Sequence, residues 1–274
     1  MANAKKESGS NGGSMFSGIV IVACILVGII IWKFVMGAGS NFEGGDNSGH
    51  PIPGNYLAMV YKGVKIVPVL LGMLLMVVVF SIERFMVISK ASGKGNLDQF
   101  MRNVQGNITS GDVNGAIDAC DKQEGSVANA IKAALLKYQE VKREGLDSEE
   151  AAETIHKEIE EATSLEMPML EKNLTILSTL VSLGTLAGLL GTVMGMITAF
   201  GALATAGTPD QAALANGISE ALINTATGIS TSALAIVTYN FFTSKIDTLT
   251  YSIDEAGSTI VNTYRHAKGR ATTN

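Results

Sequence analysis

The residues able to do chemistry in this chain are mostly hydroxyls, and they sit among apolar neighbours. Thr185, Thr192, Thr225, Thr227, Thr231 and Ser232 lie in two apolar runs between Ile176 and Ser244. Each run is long enough to cross a bilayer, which takes about 20 mostly apolar residues. Hydroxyls do not titrate near neutral pH, but they donate and accept hydrogen bonds and hold water. Glu220 is the one carboxylate within these two runs, in their outer third, and no Asp lies inside any apolar run. An ionisable group at that depth is costly and usually functional. The chain therefore supplies a polar wall within the apolar runs but no central acid.

Helical spacing sorts these residues into faces. Thr185, Gly188, Thr192, Gly195 and Ala199 recur at steps of three and four, with Gly184 and Gly191 widening the small face. Leu186, Leu190, Val193, Ile197 and Phe200 keep the same rhythm on another face. In the second run Ala221, Thr225, Gly228, Ser232 and Ala235 form a small face, beside a polar stripe of Glu220, Asn224, Thr227 and Thr231. Small faces let helices in lipid approach closely, with hydroxyls bonding across the contact or back to the preceding turn. That reading accounts for any single Thr. Taken together, the hydroxyls of two successive spans also suit the lining of a wet or partner-filled axis.

Two stretches, GLLGTVMGMITAF (Gly188 to Phe200) and GISEALINTATG (Gly217 to Gly228), followed by YNFF (Tyr239 to Phe242), resemble the signature of the ExbB/TolQ proton-channel family, with MotA a more distant relative. Within it the motifs look closest to ExbB. The likeness is strong over the last hundred residues and rests on architecture alone in the middle. Many members carry a Pro shortly before the YN, where this chain has Leu234. A Pro would kink the helix there. The resemblance implies a homo-oligomer, a pentamer, around an ExbD-like single-span partner whose membrane helix bears an Asp. It implies protons as the coupling ion, no cofactor and a TonB-like protein receiving the work. Carried over by motif, Thr192 and Thr225 face the partner Asp, Glu220 is the family glutamate, and all three belong to the proton pathway. Thr185, Gly188, Gly195, Ala221, Gly228 and Ser232 then line the pore or face the partner.

Composition agrees with a membrane protein. Hydrophobic residues make up 47% and charged ones 16%, mean hydropathy is +0.29, and the apolar residues are bunched. The fold expected is all-α: a polytopic membrane protein whose long transmembrane helices extend into a cytoplasmic helical bundle. A net charge of −5 argues against nucleic acid. Cys24 and Cys120 sit in unlike surroundings, which argues against a disulfide, and no metal-type Cys/His spacing occurs.

In chain order, 1–16 reads as a flexible tail rich in Gly, Ser and Asn. Residues 17–36 read as a retained anchor with Trp32 and Lys33 at its interface, a cleaved signal peptide being the alternative. A polar periplasmic link, 37–62, leads to a span at 63–89. Its closing pair, Glu83 and Arg84, reads as an ordinary interfacial ion pair. The cytoplasmic block 90–172 contains helices with Val127, Ile131, Leu135 and Tyr138, and Ala152, Ile155, Ile159 and Ala162, on their dry sides. Ser126 is placed to cap the first of these, and Asp147 to Glu150 forms a capping-box pattern for the second. Spans at 173–203 and 212–244 flank a periplasmic loop at 204–211, and 245–274 is a cytoplasmic tail. Basic residues fall in both ends and the middle block, which puts both termini in the cytoplasm of a bacterial inner membrane; Lys62 and Lys65 sit on the wrong side of that rule.

Three functions compete on these grounds. One is an ExbB-like motor subunit, the second a TolQ-like or stator-like motor with another output, the third a passive scaffold whose hydroxyls only pack. A membrane enzyme is least favoured, since no nucleophile–base or metal constellation appears.

Overall fold

The computed structural model describes residues 9–62, 66–205 and 211–272. Apart from one isolated antiparallel bridge between Phe42 and Pro51, its regular structure is helical. Four helices carry stretches long and apolar enough to span a membrane: Met15–Met36, Val67–Ala91, Leu174–Gly201 and Gly217–Ala267. The protein is thus an all-α polytopic membrane protein. Its chain forms two compact units, residues 1–81 with 175–239, and 82–174 with 240–274.

In the first unit, α1 (Gly9–Ile30) starts eight residues before Ser17, so only 1–8 of the tail expected at 1–16 lies outside the described residues. Its end widens into a π-helix at Ile31–Met36. α1 meets α3 (Val67–Ala91) through bare backbone: a Cβ on Gly28 would lie 2.7 Å from the Pro68 carbonyl and 2.8 Å from the Gly72 nitrogen. After the π-helix, residues 37–62 fold into a compact cap. Trp32 stacks on Tyr61 at 4.9 Å between centroids, and Phe42 packs edge-on against Tyr61 at 5.5 Å. Asn41 closes the end of the π-helix by donating to the carbonyls of Val35 (2.8 Å) and Met36 (3.0 Å), groups a helix terminus would otherwise leave unpaired. The short α2 (Tyr56–Lys62) completes this cap. Trp32 therefore anchors the cap as well as the helix end. Lys65 lies outside the described residues.

The other two helices of this unit are α8 (Leu174–Thr205) and the first part of α9 (Gln211–Thr272). α9 does not stop at 244. Leu234, at the position of the family Pro, keeps the helical ladder intact, and Thr238 donates to its carbonyl at 2.7 Å.

The second unit is a bundle of amphipathic helices. α4 (Leu97–Thr109) buries Phe100, Met101, Val104 and Ile108, and α5 (Val113–Gln123) buries Val113, Ala116 and Cys120. α6 (Gly125–Glu144) buries Val127, Ile131, Leu135 and Tyr138. It begins one residue before the Ser126 cap expected, entered through Glu124 at φ 56°, and Ser126 itself is buried. α7 (Ser148–Glu171) buries Ala152, Ile155 and Ile159. The cap is made differently from the expected box: Asp147 accepts from Ser148 N, the first helical residue, at 2.6 Å, and not from Glu150 N. The far part of α9 lays Phe242, Ile246, Leu249, Ile253, Ala256, Ile260 and Tyr264 into this core, a three-and-four spacing that explains why the helix continues as one piece.

Arg84 departs most from its sequence reading. It is 1% exposed. Its guanidinium pairs with Glu83 and donates to the carbonyls of Met169 (3.1 Å) and Leu170 (3.0 Å). Those carbonyls end α7, where a cation offsets the helix dipole and fills orphaned acceptors. Glu83 also accepts from Asn173 at 3.3 Å, and Asn173 takes the left-handed conformation (φ 65°) that turns the chain from α7 into α8. The pair is a buried joint.

Two predictions follow from this unit. Arg84→Met strands Glu83 and two carbonyls and should cost about 3 kcal/mol, read as a fall of several degrees in the thermal unfolding of the purified protein. Arg84→Lys should recover little, because an ammonium lacks the planar fork. Burial pushes the Cys120 thiol up to about 12, with the Asp121 charge adding and Lys132 opposing. The raised value makes Cys120 a stabiliser below its unfolded pKa, near 8.5, and that contribution is lost as pH climbs toward 12. Cys120→Ala should therefore flatten the alkaline fall in unfolding temperature, and the native thiol should resist maleimide at pH 7.

Candidate functional site

The hydroxyls singled out in the two apolar runs meet along the contact between α8 and α9. On α8 the buried row is Gly184, Gly188, Gly191, Gly195 and Ala199; Thr185 and Thr192 sit half-buried at its edge. The opposing row on α9 is Ala221, Asn224, Gly228, Thr231, Ser232 and Ala235. The backbones touch. A Cβ on Gly188 would lie 3.1 Å from the Asn224 carbonyl and 3.1 Å from Gly228 Cα. One on Gly228 would collide with the Gly184 carbonyl and lie 2.7 Å from Gly188 Cα. Glycine is required on both sides of this crossing for steric reasons.

The hydroxyls divide by role. Thr227 donates to Ile223 O at 2.9 Å and Thr231 to Thr227 O at 2.9 Å, so both are spent on their own helix. Thr185 donates to Ser232 Oγ at 2.9 Å and ties the helices together. Thr192 Oγ1 and Thr225 Oγ1 lie 3.0 Å apart, and Thr225 also reaches Gly188 O at 3.1 Å. These two half-buried hydroxyls are the only pair in the seam that bridges the helices from opposite threonines among the described residues. Beside them runs an open groove of about 670 Å³ lined by Thr192, Val193, Met196, Ile197 and Phe200. Ala221 and Ser232 are buried in this protomer, at 0% and 7% exposure; Ser232, Gly188 and Gly228 meet the facing helix, and Gly195 is buried on α8.

Glu220 stands apart from the threonine pair. It is half-buried and lines a cavity of about 250 Å³ with Ser219, His50, Ser48 and Lys62. Lys62, awkward under the positive-inside rule, is held there: its ammonium donates to Ser48 O at 3.1 Å and lies 5.6 Å from the Phe42 ring centre. Asn224 is the residue whose importance spacing understated. It is fully buried, and neither its amide nitrogen nor its oxygen has a hydrogen-bond partner. The sequence signal for it is its place on the stripe with Glu220 and Thr227; that it faces Gly191 is decided by the packing of α8 on α9. No cluster of His, Cys, Asp or Glu able to hold a metal occurs among the described residues.

Residues 122–255 match the MotA/TolQ/ExbB proton channel family. The chain is 32% identical over 127 residues to the Tol-Pal system protein TolQ of Pseudomonas aeruginosa, covering 46% of this chain and 55% of that one. It is 26% identical over 139 residues to the biopolymer transport protein ExbB of Pseudomonas putida, covering 51% and 42%. It is 29% identical over 111 residues to an ExbB of Xanthomonas campestris, covering 38% and 44%. The chain thus spans about half the length of the curated relatives it matches. α1, the cap and α3 lie outside the family match.

The seam predicts unequal costs. Interhelical hydrogen bonds in membranes average about 0.6 kcal/mol, so Thr192→Val and Thr225→Val should each leave the purified protein folded, with little change in melting temperature. Gly228→Leu pushes the backbones apart and should lose the folded, monodisperse species in detergent.

Proposed function

We propose that this chain, whose residues 122–255 carry a MotA/TolQ/ExbB domain, is the channel-forming subunit of a proton-driven motor in a bacterial inner membrane. It works as a homo-oligomer, taken as a pentamer, around an ExbD-like single-span partner, and both of its termini face the cytoplasm. The observation that carries this reading is the Thr192–Thr225 pair at 3.0 Å, half-buried beside an open apolar groove. It is a hydroxyl site with room for a helix and no acid of its own. A carboxylate delivered on a partner helix would complete it.

The mechanism follows from that division. While the partner Asp is charged, the two hydroxyls donate to it, and a hydrogen bond to a charged group is roughly twice as strong as a neutral one. Protonation weakens that hold and frees the partner to move to the next subunit. One charge crossing 100 mV is worth about 2.3 kcal/mol, enough to bias each step without breaking a packed interface. Protons are the coupling ion and no cofactor takes part. The output assigned is work on a TonB-like protein for outer-membrane transport. A TolQ-like output is the second reading, favoured by the relative of that name.

The test joins composition to activity. The purified complex should contain a small protein with one span bearing an Asp, and that protein's identity, ExbD-like or TolR-like, separates the two outputs. In the same complex Thr225→Val should abolish proton-coupled work and leave the assembly intact. Full activity in that variant would refute the role given to the pair and favour a passive scaffold.

A further inference from the structure

The seam leaves one group unaccounted for. The amide of Asn224 carries two donors and two acceptor sites, is 0% exposed, and pairs with nothing. Burying an amide without a hydrogen bond costs roughly 2–7 kcal/mol, depending on the reference medium. An apolar residue in that place would avoid the cost. The notch is also shaped around it. A Cβ on Gly191 would lie 2.7 Å from Asn224 Cβ, 3.1 Å from its Cγ and 3.1 Å from Ile66 Cγ2. Gly191 is therefore bare to admit the Asn224 side chain, and it is the amide without a protein partner that marks a place for a bound water.

One helical turn from Asn224, on the same face of α9, stands Glu220. Its carboxylate lines the cavity of about 250 Å³ and forms no ion pair among the described residues. At about 250 Å³ the cavity is many times larger than a single water needs. Its other polar walls come from the cap: Ser48 and His50, with Lys62 drawn toward Ser48 O at 3.1 Å. Met59, Pro51 and Ile223 supply its apolar sides. The cap is itself pinned by the stack of Trp32 on Tyr61 and by Asn47, which donates to Tyr61 Oη at 3.1 Å. The cap thus lies against Ser219, Glu220 and Ile223 of α9 and shares with them a cavity of mixed polar and apolar walls.

We propose that the capped cavity is a water-filled antechamber that leads past Glu220 to a bound water at Asn224, so that protons enter within each protomer, along α9. This extends the channel reading and rests on it for its purpose, but the water path has its own physical test. The Lys62 ammonium and the His50 ring share the mouth with Glu220. Asn224, which neither gains nor loses a proton here, is a positioning residue: it holds the water that carries the proton inward.

The test uses the full chain in intact cells, with Cys24→Ala and Cys120→Ala as background. Single reporters are Ser219→Cys in the antechamber and Asn224→Cys beyond it. Two thiol probes are added from outside: silver ion, which passes where water passes, and a bulky maleimide sulfonate. Silver should modify both reporters, and the sulfonate only Ser219→Cys. A Ser219→Cys that reacts with silver beside an Asn224→Cys that does not would overturn the path. In the complex with its partner, Asn224→Leu should cut proton flux at least tenfold with assembly unchanged, and Asn224→Ser should retain most of it. Undiminished flux in Asn224→Leu would overturn the role of that water. A parent complex that conducts no protons would instead refute the channel reading, and the silver result would still decide whether water reaches Asn224.

Discussion

Backbone-to-backbone contact between α8 and α9 is the constraint from which the site follows. Lipid offers no hydrophobic drive to bring two helices together, so they associate through close packing and a few hydrogen bonds. Gly184, Gly188 and Gly228 remove every side-chain atom at the crossing, and the helices approach until main-chain atoms touch. That approach is what sets Thr192 and Thr225 within hydrogen-bond distance. With a larger residue at Gly228 the two hydroxyls would face each other across a gap, and neither would be poised for a third group.

Hydroxyls in such a seam serve two ends, and the chain separates them by position around the helix. Those turned back on their own helix, Thr227 and Thr231, satisfy themselves and ask nothing of a neighbour. Those at the edge of the glycine row bridge to the facing helix and keep one side open. Thr192 turns back too, donating to Leu189 O at 2.7 Å, but it also meets Thr225 across the seam, and that bridge sets the threonine pair apart from the rest of the polar stripe. Ser232 and Ala221 are buried in the protomer, and Ser232 meets Thr185 and Gly184 of α8.

The segment before α3 adds a feature outside the family match. α1 packs on α3 at Gly28 and Gly72, and its aromatic end nucleates a folded cap from a link that reads as polar and loop-like. The cap accounts for Lys62. A cation that sits poorly with the positive-inside rule finds a carbonyl, an aromatic face and a space shared with Glu220. In the bundle, Arg84 plays a comparable part, filling the acceptors at the end of α7.

Much of this protein is legible without coordinates. The number and length of its apolar runs dictate spanning helices, because lipid forces every backbone group to be satisfied within its own segment. Three-and-four spacing in Val127, Ile131 and Leu135 announces a helix face because the helical period is intrinsic to the backbone. The resemblance over Gly188–Phe200 and Gly217–Gly228 located Thr192, Thr225 and Glu220 by motif. Other matters were decided only by tertiary structure. Periodicity places Asn224 on a stripe with Thr227 and Thr231, but whether such a stripe is wet, lipid-facing or sealed depends on which helix lies against it. Arg84 looked like a surface charge because its partners, the carbonyls of Met169 and Leu170, are 85 and 86 residues away. Period is a property of one helix, whereas burial and partnership belong to pairs of them, and pairs form only when the chain folds.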